Sequence, residues 1–414
     1  VMATAASSNT GLTLVSAGSF THLLNVDGRI LSSVDVLPIS KAVPLSKSTD
    51  GTERKEQLKF HDGFQVIATS FANNNSLVAV GTSAKTVVIF DVQGESLVER
   101  RSFRIPKTPT ALVFDRADSF LIVADRAGVV RKYSVDVAAK ENKEHIDEDD
   151  SDETDFEGDF ICSAISMMLD VKFSPCGKYL LVTDRDEKMR VHRYPQTFVL
   201  HQMCMAHKDY VNTVCTAKVG ERQLAFTAGG DGVIIAWDYI EGVEVGRSEA
   251  LGAVRKIRVV EEGSSTRLVV LRNNSSIVID LKVYDGEKMA FYVMNAIKVN
   301  GRVMDITVPT QGKVAVVSST GVGVLTLSDS SMEWSELGEE HTKTLGDLKD
   351  PIPDMSKKVA FDNMSDYLQR KQKKLEGRNK KRKNGNESIS EPPLKKAEED
   401  NEDTVEGEEG TVAE

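Results

Sequence analysis

The sequence has few of the features that mark secreted, membrane-bound or metal-binding chains. It contains four cysteines in 414 residues, and no two of them form a C-x-x-C pair. Reduced, buried thiols are therefore favoured over a disulfide framework or a metal site. No run of 18 apolar residues occurs, which argues against a transmembrane helix. The first seven residues have neither a charged region nor an apolar core, so a signal peptide is not expected.

The motifs of common enzymes are also missing. The chain has no G-x-x-x-x-G-K-[ST] phosphate loop, no G-x-S-x-G elbow and no H-E-x-x-H metal motif. Its seven histidines are scattered, and none clusters with cysteine at ligand spacing. We therefore expect a protein with no catalytic residues, no cofactor and no metal of its own.

The net charge of −11 is concentrated in two segments. Residues 141–160 contain eleven acidic side chains and one lysine, and residues 398–414 contain nine acidic side chains and no base. The remainder of the chain then has a net charge of +8. A basic body with two acidic segments is compatible with an RNA partner.

A repeat covers most of the chain. Each copy has a short β-rich run, a polar turn, an apolar run that ends in small residues, another turn and a third run. The six copies span Val66–Asp91, Thr110–Ser134, Leu169–Tyr194, Val211–Asp238, Val254–Asp280 and Val303–Leu325.

The spacing of these copies predicts the fold. Their apolar second runs begin 44, 59, 44, 44 and 46 residues apart, and the long interval contains the acidic segment. A period of about 40–45 residues is typical of the blades of a WD-repeat β-propeller. We predict an all-β, seven-bladed WD-repeat propeller over residues 1–340, with 141–160 as a disordered acidic insertion. Eight blades is the alternative.

The seventh blade has no clear copy of its own. We predict that the region Leu12–Val26 pairs with a final strand near Met332–Leu337, which would close the ring through the two chain ends. Closure removes the exposed strand edges that would otherwise aggregate.

One copy carries nearly the whole WD signature. Ala206-His207 occupies the Gly-His position, Trp237-Asp238 follows, and Thr227 and Asp231 lie between them. Such residues form a buried polar chain in which each group finds a partner. We interpret His207, Thr227, Asp231 and Trp237 as structural, because a catalytic His–Asp pair would need a nucleophile that the spacing does not supply.

A highly charged segment, D-R-D-E-K-M-R at residues 184–190, falls between the second and third runs of one copy. It fits a solvated turn with Asp186 as the structural aspartate, and it fits a docking surface whose mixed charges orient a partner. Arg126 occupies the matching turn of the preceding copy. Since adjacent blades present equivalent turns side by side, Arg126 and Arg190 are expected to share one face of the ring.

The chain changes character after about residue 340. We predict a linker and a basic helix over 341–384, with the helix following Phe361, and an acidic disordered tail over 385–414. The basic residues suit a nuclear-import signal or a phosphate-binding face, and a solvated tail is a third interpretation. They are Arg370, Lys371, Lys373, Lys374, Lys380, Lys381, Arg382 and Lys383.

Two stretches resemble a known family. They are S-M-M-L-D-V at 166–171, followed by S-P and T-D-R-D-E-K-M-R-V at 183–191, and F-D-N-M at 361–364 with Tyr367-Leu368. Both are similar to the WD-repeat, non-catalytic subunit of the eukaryotic tRNA (guanine-N7-)-methyltransferase, whose insect members are called Wuho.

The resemblance implies a heterodimer with a Rossmann-like methyltransferase that binds S-adenosylmethionine and modifies guanine-46 of tRNA. The propeller would hold that catalytic subunit in its active arrangement and help to position tRNA, in the nucleus and with the cytoplasm as a second compartment. A nuclear interaction hub, such as a chromatin or ubiquitin-ligase adaptor, is the alternative. The residues implied in contact with the catalytic subunit are Asp184, Asp186, Glu187, Lys188 and Arg190, with Arg126 as a neighbour.

Overall fold

The strand-forming runs fold into seven four-stranded antiparallel sheets that follow one another along the chain. The computed structural model describes residues 3–43, 63–136, 158–262, 265–286, 289–328 and 331–336. Each sheet is one blade, and its strands pair in chain order from the first to the fourth. The predicted seven-bladed propeller is therefore confirmed.

The first four blades cover the N-terminal half. Blade 1 contains β1 (Ala3–Ser7), β2 (Thr13–Ala17), β3 (Phe20–Leu24) and β4 (Ile30–Asp35), followed by the short helix α1 (Val36–Ala42). Blade 2 contains β5 (Val66–Phe71), β6 (Leu77–Thr82), β7 (Thr86–Gln93) and β8 (Ser96–Arg104). Blade 3 contains β9 (Pro109–Phe114), β10 (Phe120–Asp125), β11 (Val129–Ser134) and β12 (Asp159–Ser163). Blade 4 contains β13 (Met168–Phe173), β14 (Tyr179–Asp184), β15 (Lys188–Arg193) and β16 (Leu200–Met205).

Three further blades complete the ring. Blade 5 contains β17 (Val211–Val219), β18 (Arg222–Gly229), β19 (Ile234–Asp238) and β20 (Val243–Arg247). Blade 6 contains β21 (Val254–Glu262), β22 (Ser265–Arg272), β23 (Ile277–Tyr284) and β24 (Ala290–Lys298). Blade 7 contains β25 (Val303–Thr310), β26 (Lys313–Ser318), β27 (Gly321–Leu327) and β28 (Met332–Glu336).

The second strand of each blade explains why the repeat was visible in the sequence. β6 is buried at every position, and β10 and β14 are buried at all but their first residue. Such a strand lies inside its sheet, and both of its faces contact neighbouring blades. A continuous apolar run, rather than an alternating one, follows from burial on both faces.

The predicted closure through a shared blade is wrong. β1 to β4 form a complete blade by themselves, and β28 completes blade 7 by pairing with β27. The ring instead closes by side-chain contacts between β1 and β25. The backbone amide of Ala5 donates to Oδ2 of Asp305 at 2.8 Å, and Ser7 and Thr307 share a hydrogen bond of 2.6 Å.

The predicted acidic insertion overlaps the fold at one end. Asp159 and Phe160 belong to β12, and Asp159 forms an ion pair of 3.4 Å with Lys132 of β11. Blade 3 therefore uses the end of the acidic segment as its outer strand. The remainder of the insertion, up to residue 157, lies outside the described residues, as does everything after residue 336.

Candidate partner-binding surface

The charged turn between β14 and β15 is built around Asp184. This side chain is completely buried, and its Oδ1 accepts hydrogen bonds from the backbone amides of Asp186 at 2.8 Å and Lys188 at 3.1 Å. Asp125 makes the same pair of bonds, with the same two lengths, in the corresponding turn of blade 3. The aspartate that shapes the turn is therefore Asp184, whereas Asp186 is exposed.

Arg190 compensates the charge of Asp184. It lies on β15 rather than in the turn, and its guanidinium forms an ion pair with the buried carboxylate. Its side chain is 14% exposed, so most of it is shielded from solvent. Arg190 therefore stabilises the turn through this ion pair, and a small part of its side chain stays accessible.

The middle of the turn projects outward. Lys188 donates from Nζ to the carbonyl oxygen of Asp186 at 2.7 Å, which holds its charge beside the exposed aspartate. Glu187 has a φ of +73°, at the position that Gly128 occupies in blade 3 with a φ of +86°. Non-glycine residues rarely adopt a positive φ. The turn of blade 4 therefore presents an acidic side chain at a position where the corresponding turn of blade 3 has only a glycine.

Apolar side chains continue this charged turn along the outer strand of blade 4. In the antiparallel register Lys188 lies opposite Met205, and Arg190 lies opposite Met203. Directly opposite residues share one face of a sheet. Met205 is 62% exposed, Met203 is 36% exposed, and Ile165, in the connection from blade 3, is fully exposed.

The residues of β15 and β16 on this face lie on the side of blade 4 that faces blade 3. Val182, which pairs with Arg190, packs in one core cluster with Ile122 and Val130 of blade 3. Cys204, on the opposite face of β16, packs instead toward blade 5. We define the inter-blade surface as Lys188, Arg190, Met203 and Met205. Sequence reasoning found the first two, and the exposed methionines were missed because Met usually marks a core position.

Arg126 lies elsewhere. It lines the cavity at the centre of the ring together with Met167, and Arg190 is not among the residues that line this cavity. The backbone amide of Arg126 donates to the carbonyl of Thr108 at 3.0 Å. The backbone amide of Arg185 makes the equivalent bond to the carbonyl of Met167 at 3.0 Å. The counterpart of Arg126 in blade 4 is therefore Arg185, and the structure does not place Arg126 on the inter-blade surface.

The four WD-signature residues meet inside blade 5. Nε1 of Trp237 donates to Oγ1 of Thr227 at 2.7 Å, and the same oxygen is 2.7 Å from Nε2 of His207. Nδ1 of His207 is 2.9 Å from Oδ2 of Asp231. Since an indole can only donate, a neutral His207 with its proton on Nδ1 satisfies every group in the chain.

This buried chain is electrostatically stable and closed to substrates. Burial raises the pKa of the Asp231 carboxyl, but the hydrogen bonds from His207 and from the amide of Lys208 outweigh it, so the pKa lies below its ordinary value. Thr227 is completely buried, and His207 nearly so. The geometry therefore suits a structural network that ties strands β18 and β19 to the turn between them and to the connection that precedes β17.

The thiols show no metal-binding arrangement. All four cysteines are free, and within the described ranges no three His, Cys, Asp or Glu side chains come together as metal ligands. Burial raises the pKa of Cys162, Cys204 and Cys215 to about 12. Among the described residues, no helix has the length and apolar character to cross a membrane. The predicted basic residues from Arg370 to Lys383 lie outside the described residues.

Sequence comparison with known proteins finds relatives of one kind. A family model described as the WD40 domain of the tRNA methyltransferase TRM82 matches residues 132–336. A Caenorhabditis elegans protein named tRNA (guanine-N(7)-)-methyltransferase non-catalytic subunit is 30% identical over 327 residues, 76% of this chain and 77% of that protein. The Aedes aegypti protein of that name, wuho, is 25% identical and covers 73% of this chain and 71% of its own length.

The solved structures agree on the fold. A chain of the structure titled "Crystal Structure of Mitotic Checkpoint Complex" superposes with a TM-score of 0.59 over 80% of this chain and 86% of that chain. The sequence identity is 15%, so this likeness shows the propeller architecture alone.

Proposed function

Because the chain belongs to the family of the tRNA (guanine-N(7)-)-methyltransferase non-catalytic subunits, we propose that it holds the catalytic subunit of that enzyme on the inter-blade surface. The observation that supports this location is the continuity of charge and exposed apolar area along β15 and β16. A charged turn beside two exposed methionines has the composition of a docking site, in which Met and Arg are enriched.

The rigidity of the ring suits such a role. The inter-blade surface belongs to a four-stranded sheet with completely buried residues on its inner strands. A partner element that docks on a rigid surface is ordered once, and it stays in the arrangement that catalysis needs. The catalytic subunit would bind S-adenosylmethionine and methylate guanine-46, and this chain would supply orientation rather than chemistry.

Positioning of tRNA is a second part of the proposal. The basic residues between Arg370 and Lys383 would contact tRNA phosphates, and the cluster from Lys380 to Lys383 would direct the protein to the nucleus. A chain that ends before Phe361 should bind tRNA less tightly and with a weaker salt dependence. An unchanged salt dependence would leave the basic residues with a targeting role only.

The docking proposal is tested by two substitutions on the inter-blade surface. Met205→Asp places a charge in the apolar part, and Lys188→Glu reverses a charge in the turn. We expect Met205→Asp to weaken binding of the purified catalytic subunit by about tenfold or more, as for a central contact. Lys188→Glu should mainly slow association. Formation of 7-methylguanosine in tRNA should fall with complex formation.

Matched controls lie on other blades. Met294→Asp changes a methionine that is 40% exposed on the outer strand of blade 6, and Lys218→Glu reverses an exposed lysine of blade 5. Affinity should be unchanged in both controls. Equal losses in the controls, or full affinity in Met205→Asp with an intact melting temperature, would place the catalytic subunit on another surface.

A further inference from the structure

The centre of the ring contains a cavity of about 280 Å³ that the partner-binding surface does not use. Five cationic and two acidic side chains line it. The acidic ones are Asp170 and Asp305, and the cationic ones are Arg126, Lys172, Arg255, Lys256 and Arg258. Positive charge is therefore in excess at the centre of the ring.

The inner strands direct these charges toward the axis of the ring. Asp170 and Lys172 are two residues apart on β13, and Lys256 and Arg258 are two residues apart on β21. Alternate residues of a strand point to the same side. All four line the cavity, so two inner strands each bring a pair of charged side chains into it.

Both carboxylates are engaged by the backbone. Asp170 accepts from the amide of the next residue at 2.9 Å and from the amide of Val214 in blade 5 at 3.1 Å. Asp305 accepts from the amide of the next residue at 2.8 Å and from Ala5 in blade 1 at 2.8 Å. These aspartates therefore fasten adjacent blades together, and Asp305 also pairs with a lysine, Lys256, at 2.5 Å.

Two of the cations, Lys172 and Arg258, make few polar contacts with the described residues. Within the described part of the chain, the ammonium of Lys172 makes no hydrogen bond or ion pair, and the half-buried side chain lines the cavity. Burial lowers the pKa of Lys172, and the neighbouring charge of Asp170 offsets part of that effect. Arg258 donates from one nitrogen to the carbonyl of Ile257 at 3.0 Å, and its other N–H groups make no hydrogen bond to the residues that the structure describes.

An anion would complete this arrangement. Burying a charge without a partner is costly, and buried cations are normally paired. We propose that the central cavity binds one small phosphate-class anion between Lys172, Lys256 and Arg258. Ammonium and guanidinium groups are the usual donors to phosphate oxygens, and a multiply charged oxyanion can accept from all three at once.

The phosphate group that binds in the cavity could belong to a free anion or to the tRNA backbone. Isothermal titration of the full chain with inorganic phosphate, in a chloride buffer of constant ionic strength, measures the site directly. We expect saturable binding of one phosphate per chain. Lys172→Gln should reduce that affinity by about tenfold or more, as expected for a lost charge-assisted contact, and Arg258→Gln provides a second, independent variant.

Lys218→Gln is the matched control, because it removes one positive charge from an exposed site on blade 5. It should bind phosphate as the wild type does. Equal weakening in all three variants, or no saturable binding, would overturn the proposal. With tRNA present, unchanged phosphate binding identifies a free anion as the ligand, whereas competitive loss of binding identifies an RNA phosphate. Neither result depends on the catalytic subunit, so this inference can fail while the proposed function stands.

Discussion

Arg190 on β15 forms an ion pair with Asp184, whose side chain at the end of β14 is completely buried. An arginine in this position has two consequences that are easily confused. A small part of its side chain is exposed on the inter-blade surface, and its charge neutralises a carboxylate that has no access to water. Loss of a complex after substitution of Arg190 therefore does not by itself show a direct contact with a partner.

The first prediction separates these roles by substituting both residues. Arg190→Met leaves Asp184 charged and buried without a partner, so we expect a loss of about 3–5 kcal/mol in the free energy of unfolding. Adding Asp184→Asn removes that charge and keeps a side-chain oxygen for the two backbone amides of the turn. Urea denaturation of the double variant should recover most of the stability.

Binding of the catalytic subunit then decides the role of Arg190. Recovery of affinity in the double variant would assign Arg190 a supporting role, and affinity that stays low would assign it a contact. Arg193→Met, at an exposed position on the same strand, should change neither property.

A second prediction concerns the buried chain in blade 5. Thr227→Val keeps the shape of the side chain but removes the oxygen shared by His207 and Trp237. Leaving both nitrogens without a partner should lower the free energy of unfolding by about 2–4 kcal/mol. Thr216→Val, on the neighbouring strand β17, is the control. Similar losses in the two variants would show that the network contributes little.

The third prediction concerns the pH dependence of stability. Burial, and then the charge of Arg258, lowers the pKa of Lys256 to about 8 from 10.5, against the opposing effect of Asp305. Between these values the unfolded chain binds a proton that the folded chain has released. Stability therefore gains from this lysine as pH rises above 8, by up to about 1.4 kcal/mol per pH unit.

Lys256→Met should remove that gain. The free energy of unfolding of both proteins is measured by urea denaturation from pH 7 to pH 10. Buried thiols whose pKa is raised act in the opposite direction above pH 9, but they are the same in both proteins. The wild type should therefore become more stable relative to Lys256→Met as pH rises, and a constant difference would contradict the assignment.

The fourth prediction concerns thiol reactivity. Cys176 is half-buried. Burial raises the pKa of its thiol, but hydrogen bonds with Ser174 and with backbone amides outweigh this and lower the pKa. Cys162, Cys204 and Cys215 are buried thiols with a pKa near 12. Since the thiolate is the reactive form, iodoacetamide should modify Cys176 first in the folded protein. Mass spectrometry of tryptic peptides, with unfolded protein as control, measures the order.

The strands that could be predicted from the sequence are those whose hydrophobic pattern is visible within one copy of the repeat. Second strands such as β6 and β14 are buried on both faces, so they appear as continuous apolar runs. β1 could not be recognised, because its sequence A-T-A-A-S has no apolar alternation. Its position depends on contacts with Asp305 and Thr307, about 300 residues away.

The candidate site was predictable in part. The charged turn was visible because its residues are adjacent in the chain. Aligning Asp125 with Asp184 would have matched Arg126 to Arg185 and not to Arg190. The cavity cations were not predictable, since Lys172 and Lys256 line one cavity only after blades 4 and 6 are arranged around one axis.

The closure of the ring by side chains has a consequence for the order of synthesis. Blade 1 is the first of the seven to leave the ribosome, and its inner strand meets Asp305 only after about 300 further residues have been made. Until then one face of blade 1, with the apolar side chains of Ala5, Val15 and Leu24, has no counterpart from blade 7. The first blade to be synthesised thus acquires its second neighbour only when the last blade is complete, and contacts this distant in sequence form slowly.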